Sequence, residues 1–349
     1  MRASPSCALD RTIRGMIGLQ KETPAARGAR SAGALPFTGP WLLAPMEGVT
    51  EPCFRDLVLE RNAPGRLGGA FTEFARVVDH ALPRRTLERH LGPRRFAQPV
   101  GLQLMGNDLG ALAETARRAE EAGAPLVDLN FGCPAKGALR TCAGSALLRD
   151  PAAVERVVRS VVDAVVEVPV SAKIRAGYDD DLLLEDLARA AEAGGASLLT
   201  VHCRTRLEGY RDVEDWRRLT RTVGVVDIPV CGNGGVRKHA DLERLRSETG
   251  CAYAMVGRAA LGDPWIFEGR AASPLEALEF LRDYARELSE RGGMGPRGVA
   301  GRLKQLLRHW TAGIAPDERE LAGLLAIAEA PALLEAFEGL CSASSLSGP

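Results

Sequence analysis

Eight short β-like runs, most of them separated by Ala/Leu/Arg-rich helical stretches, predict an α/β fold. About eight such units in about 230 residues predict that the sheet closes as a TIM (β/α)8 barrel. A small C-terminal helical domain should follow, because strand signal ends after Gly269 while helical periodicity continues. The competing arrangement is an open doubly wound sheet. That fold opens with G-x-G-x-x-G after its first strand, whereas this chain reads "APMEGVT".

Residues 1–38 are expected to be a disordered extension, rich in Ala, Arg, Gly and Ser without a sustained period. Their Arg-rich, acid-poor character also gives them some transit-peptide colour. The barrel is assigned to residues 39–269, with strands in "WLLAPM", "GAFTEF", "PVGLQLMG", "PLVDLNFG", "VPVSAKIRAG", "SLLTVHCR", "IPVCGNGG" and "AYAMVGRAAL". Several are continuous apolar runs, as strands buried on both faces must be. Crossover segments such as "DLGALAETARRAEEAGA" and "LLEDLARAAEAGGA" carry Gly just past the last helical turn, where a left-handed helix cap belongs. Residues 270–345 are assigned to the helical domain.

The 349 residues carry 45 Lys+Arg and 45 Asp+Glu, so any nucleic-acid surface must be a local patch. Arg291, Arg297, Arg302, Lys304 and Arg308 lie in an acid-free stretch, and helical spacing sets Arg302 and His309 near one face. A solvated basic face is the plainer reading of them. The 8 cysteines are scattered without C-x-x-C pairs, which argues against zinc, Fe–S and disulfide scaffolds and suits a reducing cytoplasm. No metal site is expected. No apolar run reaches the ~20 residues of a membrane helix.

Polar and reactive residues recur at the C-terminal ends of the runs, where barrel active sites sit. The turns "CGNGG" and "VGRAA" free backbone N–H groups for a phosphate, with Arg258 as a charged fork. Lys173 and His202 fall inside strand-like runs, where charge needs a partner, and Gln103 at a strand end suits a heterocycle edge. Cys133 follows "DLNFG" and is pinned by Pro134, beside Asn130. Such a thiol is a nucleophile or a proton donor, and no oriented His–Asn partner is evident for a nucleophile, so a donor beside a cofactor fits better. An inert buried thiol is the bland alternative.

The ordered blocks "APMEGVTEPCFR", "TEFARVVDHALP", "VGLQLMG", "DLNFGCPAKG", "SAKIRAGY", "VHCRTRLEGYRDVEDW", "IPVCGNGG" and "MVGRAALGDPWIF" resemble the tRNA-dihydrouridine synthase family. The likeness runs from about Leu42 to Phe267 and on through "GRLKQLLRHW". "MEGV" with "TEFARVVDHALP" is similar to the bacterial subfamily acting on the D-loop uridine at tRNA position 16. The resemblance implies an FMN-binding barrel and a helical tRNA-recognition domain. NADPH or NADH would reduce the flavin, hydride would pass from flavin N5 to uracil C6, and Cys133 would protonate C5. Pro45, Met46 and Glu47 match a flavin-contacting block. Gln103 and Lys173 match the isoalloxazine edge, and His202 a further flavin contact. Asn233, Gly234, Gly235, Gly257 and Arg258 match the phosphate site. Arg76, Asn130, Tyr210, Arg302 and His309 match positions that contact tRNA or its target base. A cytoplasmic monomer with tRNA and NAD(P)H as partners is expected.

Two departures stand out: "GGV" follows Asn233, and "RTCAGSALL" replaces a more glycine-rich loop, bringing Cys142 as a second thiol. Two other functions fit the same residues less well. A dihydroorotate-type FMN oxidoreductase acting on a free pyrimidine has no need of the basic helical tail. A non-catalytic RNA-binding module has no need of Cys133, Lys173, His202 and Arg258 together.

Overall fold

The computed structural model describes residues 34–93, 96–135, 137, 142–209 and 214–346. The disorder expected of the extension falls largely on residues 1–33, outside the described residues, as does Tyr210.

Every β-like run of the sequence contains a strand. They are β1 (Trp41–Leu43), β2 (Leu67–Phe71), β4 (Val100–Met105), β5 (Val127–Asn130), β6 (Val170–Arg175), β7 (Leu198–His202), β8 (Val230–Asn233) and β9 (Tyr253–Val256). A two-residue strand, β3 (Ala75–Arg76), extends the line of β2 and pairs with β4. All pairings are parallel; β2 pairs with both β1 and β4, and β9 returns to β1, so eight strands close into a barrel.

Side-chain alternation sorts the strands into an inside and an outside. Val127, Ala172, Ile174, Leu199 and Val201 face the helices and join the main core. Leu42, Phe71, Leu126, Leu198 and Met255 pack inside. Leu35 and Phe37, within the segment assigned to the extension, close the barrel floor; the Phe37 ring lies 6.0 Å from Phe71 and 5.4 Å from Tyr253. Above that floor the inward positions turn polar: Asp128 and Ser171, then Gln103, Asn130, Lys173, His202 and Asn233.

The last four helices are Pro274–Glu290, Pro296–Leu307, Glu318–Ala326 and Ala330–Leu346. The first begins with a capping box: Ser273 Oγ accepts from Glu276 N–H, and the Glu276 carboxylate accepts from Ser273 N–H. These helices share the barrel's core. Phe280 and Tyr284 meet Phe54 of helix Pro52–Glu60 edge-on, at 6.1 and 5.8 Å, and Phe280 also meets Trp265 at 5.7 Å. A Cβ at Gly262 would overlap the His309 carbonyl, so the glycine permits this close join. Among the described residues, no helix is long and apolar enough to cross a membrane.

Candidate active site at the C-terminal mouth of the barrel

The mouth is lined by strand ends in register. Asn130 pairs with Lys173, and His202 with Asn233, so these side chains share one inner wall. Lys173 Nζ donates to Asn233 Oδ1 at 3.2 Å, and Asn233 Nδ2 donates to the Met255 carbonyl at 2.8 Å. Burial, and then the Arg175 charge, lower the Lys173 pKa to about 8. Burial and the cations Lys173, Arg175 and Arg204 push His202 well below its ordinary range, so its imidazole is neutral at pH 7.

Beneath this wall the polar groups satisfy one another. Asp128, 1% exposed, accepts from Gln103 Nε2 at 2.6 Å and from Ser171 Oγ at 2.5 Å. Burial raises its pKa to about 6. Gln103 Oε1 accepts from Asn130 Nδ2 at 2.7 Å. Asn130 Oδ1 accepts from the N–H groups of Gly132 and Cys133, at 2.8 and 3.0 Å.

Cys133 is held from its other side as well. Its carbonyl accepts from Ser145 N–H at 3.1 Å and from Ser145 Oγ at 2.9 Å. Gly144 has φ +59, and a Cβ there would lie 2.9 Å from the same carbonyl. Arg175 Nε donates to Gly132 O at 2.8 Å, while its Nη1 reaches Gly209 O at 3.2 Å, tying the β5 loop to the β7 loop. The thiol is partly buried, and burial raises its pKa above the ordinary cysteine value. At neutral pH it therefore carries its proton, the state a general acid requires. Cys142, with φ 51, lies on the following loop, also partly buried.

The opposite wall is glycine-rich. Gly234 and Gly235 have φ +104 and +80; a Cβ on Gly234 would lie 2.8 Å from Cys203 Sγ. A Cβ on Gly235 would lie 2.8 Å from Trp216 Nε1. Among the described residues, no turn or loop carbonyl accepts the N–H of Gly234, Gly235 or Gly257. Met46 comes within 3.5 Å of where a Gly257 Cβ would stand, so the β1 and β9 exits converge. Pro45 and Met46 are partly buried there; Glu47 and Arg258 are exposed.

Of the residues expected to meet RNA, Arg76 is exposed at the rim and donates to Gly137 O at 3.1 Å. His309 is exposed beside the β9 exit. Arg302 turns inward, against the Glu51 carboxylate and the Gly48 carbonyl, with Tyr284 Oη donating to Glu51 at 2.8 Å. The structure thus joins Arg302 to the loop after β1. Asp128, Ser171, Arg175 and Glu51 were not singled out in the sequence. Asp128 and Ser171 were detectable there as polar residues inside apolar runs, at inward parity with Asn130 and Lys173.

A family model described as "Dihydrouridine synthase (Dus)" matches residues 42–288. A tRNA-dihydrouridine(16) synthase of Cupriavidus necator is 41% identical over 231 residues, spanning 64% of this chain and 71% of that protein. The proteins of the same name from Haemophilus influenzae and Pseudomonas putida are 39% and 36% identical over 281 and 282 residues. Those two matches span 77% and 76% of this chain, and 89% and 86% of the respective relatives.

Proposed function

The chain belongs to the dihydrouridine synthase family and is an oxidoreductase forming dihydrouridine in tRNA, and from that premise we propose how it does so. It reduces the C5=C6 bond of the D-loop uridine at position 16, with FMN as resident cofactor and NADPH as reductant, as a cytoplasmic monomer. The position follows the names of the relatives. One observation carries the chemistry: the Cys133 thiol, its pKa raised by burial, follows β5 directly where Asn130 lies in register with Lys173 on the adjoining strand.

The residues fit a flavin mononucleotide. Gly234, Gly235 and Gly257 offer backbone N–H groups, and Arg258 a guanidinium, for its phosphate. Lys173, Gln103 and His202 suit the carbonyl and nitrogen edge of the ring, with Pro45, Met46 and Glu47 beside it and Asn233 holding Lys173. Bound FMN supplies the hydride that adds to C6. Cys133 gives its proton to C5 and is reprotonated from solvent. Asn130 holds the thiol's loop in place. The uracil is stacked in folded tRNA, so it must be turned out into the mouth. Arg76 and His309 rim the path for RNA, and binding through them weakens with salt; Tyr210, outside the described residues, is proposed as a further tRNA contact. Arg302 contributes by fixing the loop after β1.

Mass mapping of dihydrouridine in tRNA from a strain lacking the gene tests the reading. Loss confined to position 16, restored by the wild-type gene, is the expected result. Unchanged dihydrouridine everywhere, with reduction of free uridine by the purified protein, would overturn it in favour of a free-pyrimidine enzyme.

Lys173 makes a pH prediction. Its folded pKa of about 8 means that the ammonium discharges as pH rises through that value. FMN affinity of the flavin-free protein is expected to fall above pH 8, by up to about ten-fold per unit. Lys173→Met should bind FMN more weakly at pH 7 and show no such fall. A wild-type affinity flat from pH 7 to pH 9 would remove Lys173 from the flavin site.

A further inference from the structure

We infer that Asp128 is a positioning residue for Cys133, acting through a one-way chain of hydrogen bonds that runs from Asp128 through Gln103 and Asn130 to the thiol's own loop. Its importance rests on the proposed role of Cys133 as the acid. An ionised carboxylate only accepts hydrogen bonds, and a backbone N–H only donates. Asp128 forms one end, and the N–H groups of Gly132 and Cys133 form the other. Between fixed ends, each amide has a single satisfied orientation. Gln103 must present Nε2 to Asp128, which leaves Oε1 for Asn130. Asn130 must present Nδ2 to Gln103, which leaves Oδ1 for the loop.

The surroundings hold the chain in place. Gln103 is 0% exposed, and Thr72 Oγ1 accepts its backbone N–H at 3.1 Å. Ser171 Oγ occupies the second Asp128 oxygen at 2.5 Å. Full burial keeps bulk solvent from satisfying a reversed Gln103 amide. Reversal at Gln103 would face Oε1 to the carboxylate and Nε2 to Asn130. Asn130 would then turn Nδ2 onto the two loop N–H groups and release Cys133.

The chain also makes a prediction that a merely structural carboxylate would not. Moving the charge one place along preserves the direction. With Asp128→Asn and Gln103→Glu together, the new amide at 128 donates to the new carboxylate at 103. That carboxylate still accepts from Asn130, and Asn130 still accepts from the loop. Gln103→Glu alone sets two carboxyls across a 2.6 Å contact, where they share one proton and keep the chain's direction, whereas Gln103→Met removes both of its hydrogen bonds and cuts the chain. Asp128→Asn alone is milder, because its NH2 can turn onto Ser171 Oγ, which is able to accept.

The readout is the rate of Cys133 alkylation by iodoacetamide in the flavin-loaded, full-length protein, mapped by peptide mass. Buried Cys251 serves as the reference for global opening. Gln103→Met should accelerate Cys133 by about five-fold or more without accelerating Cys251. The double variant should return within about two-fold of wild type. A double variant as fast as Gln103→Met overturns the chain, and so does a Gln103→Met protein with unchanged Cys133. If Gln103→Met does not fold, Gln103→Leu cuts the chain in the same way, and the absence of any acceleration there overturns it equally. Alkylation needs no tRNA, so failure of this inference is distinct from failure of the functional reading.

Discussion

Replacing Cys133 with alanine is expected to lower dihydrouridine formation by about 10²–10⁴-fold, the range for loss of a positioned general acid. The affinity for tRNA should change little, because the thiol contributes almost none of the binding surface. Reduction of the flavin by NADPH should also survive, since that step precedes any proton transfer to the uracil. Single-turnover assays on pre-reduced enzyme separate the steps, with product counted by mass. Burial holds the thiol protonated at neutral pH, so Cys133 should act as acid without a partner base. Cys142 is the control. It sits at φ 51 on the next loop, and Cys142→Ser should retain activity within a few-fold. Full activity in Cys133→Ala with none in Cys142→Ser would exchange the two roles.

The barrel was legible in the sequence because its signal is local. Each strand alternates or runs apolar over a few residues, and each turn carries glycine or polar residues at its C-terminal end. The inner wall was partly legible for the same reason: Lys173, His202 and Asn233 are polar residues at strand ends. The layer beneath was not. Asp128 takes its meaning from Gln103, 25 residues earlier, and Ser171, 43 residues later, partners that only barrel closure brings together. Arg302 shows the opposite failure. Helical spacing placed it on a basic face, but the carboxylate that claims it, Glu51, lies 251 residues away. Leu35 and Phe37 belong to a compositionally loose segment, and nothing local marks them as the plug of the barrel floor.

Removal of Asp56 should have the largest effect on stability. Arg55 is 0% exposed; its guanidinium donates to the carbonyls of His90 at 3.0 Å and Leu91 at 2.5 Å and faces Asp56 at 3.5 Å. The other Asp56 oxygen accepts from Arg291 at 3.1 Å, across the seam between the barrel and the helical domain. Arg291 is itself bound to Glu287 at 2.6 Å. Asp56→Ala leaves a buried guanidinium without its countercharge and cuts a tie between the two domains. Breaking one partner of such a pair costs about 3–5 kcal/mol, against a total of about 5–15 kcal/mol for a typical protein. For a chain of 349 residues the expected fall in Tm is about 4–7 °C. The exposed Arg84–Glu88 pair, one helical turn apart, is the contrast: Glu88→Ala should change stability by less than about 0.5 kcal/mol. The core runs unbroken from Phe54 through Phe280 to Trp310, so both domains should melt in one transition in wild type. In Asp56→Ala the helical domain should begin to separate first, visible as a second, earlier transition in the calorimetric trace. A single transition within 2 °C of wild type would mean that the carbonyl partners and the nearby Glu51 carboxylate suffice for Arg55 and that the seam is held by its aromatic core.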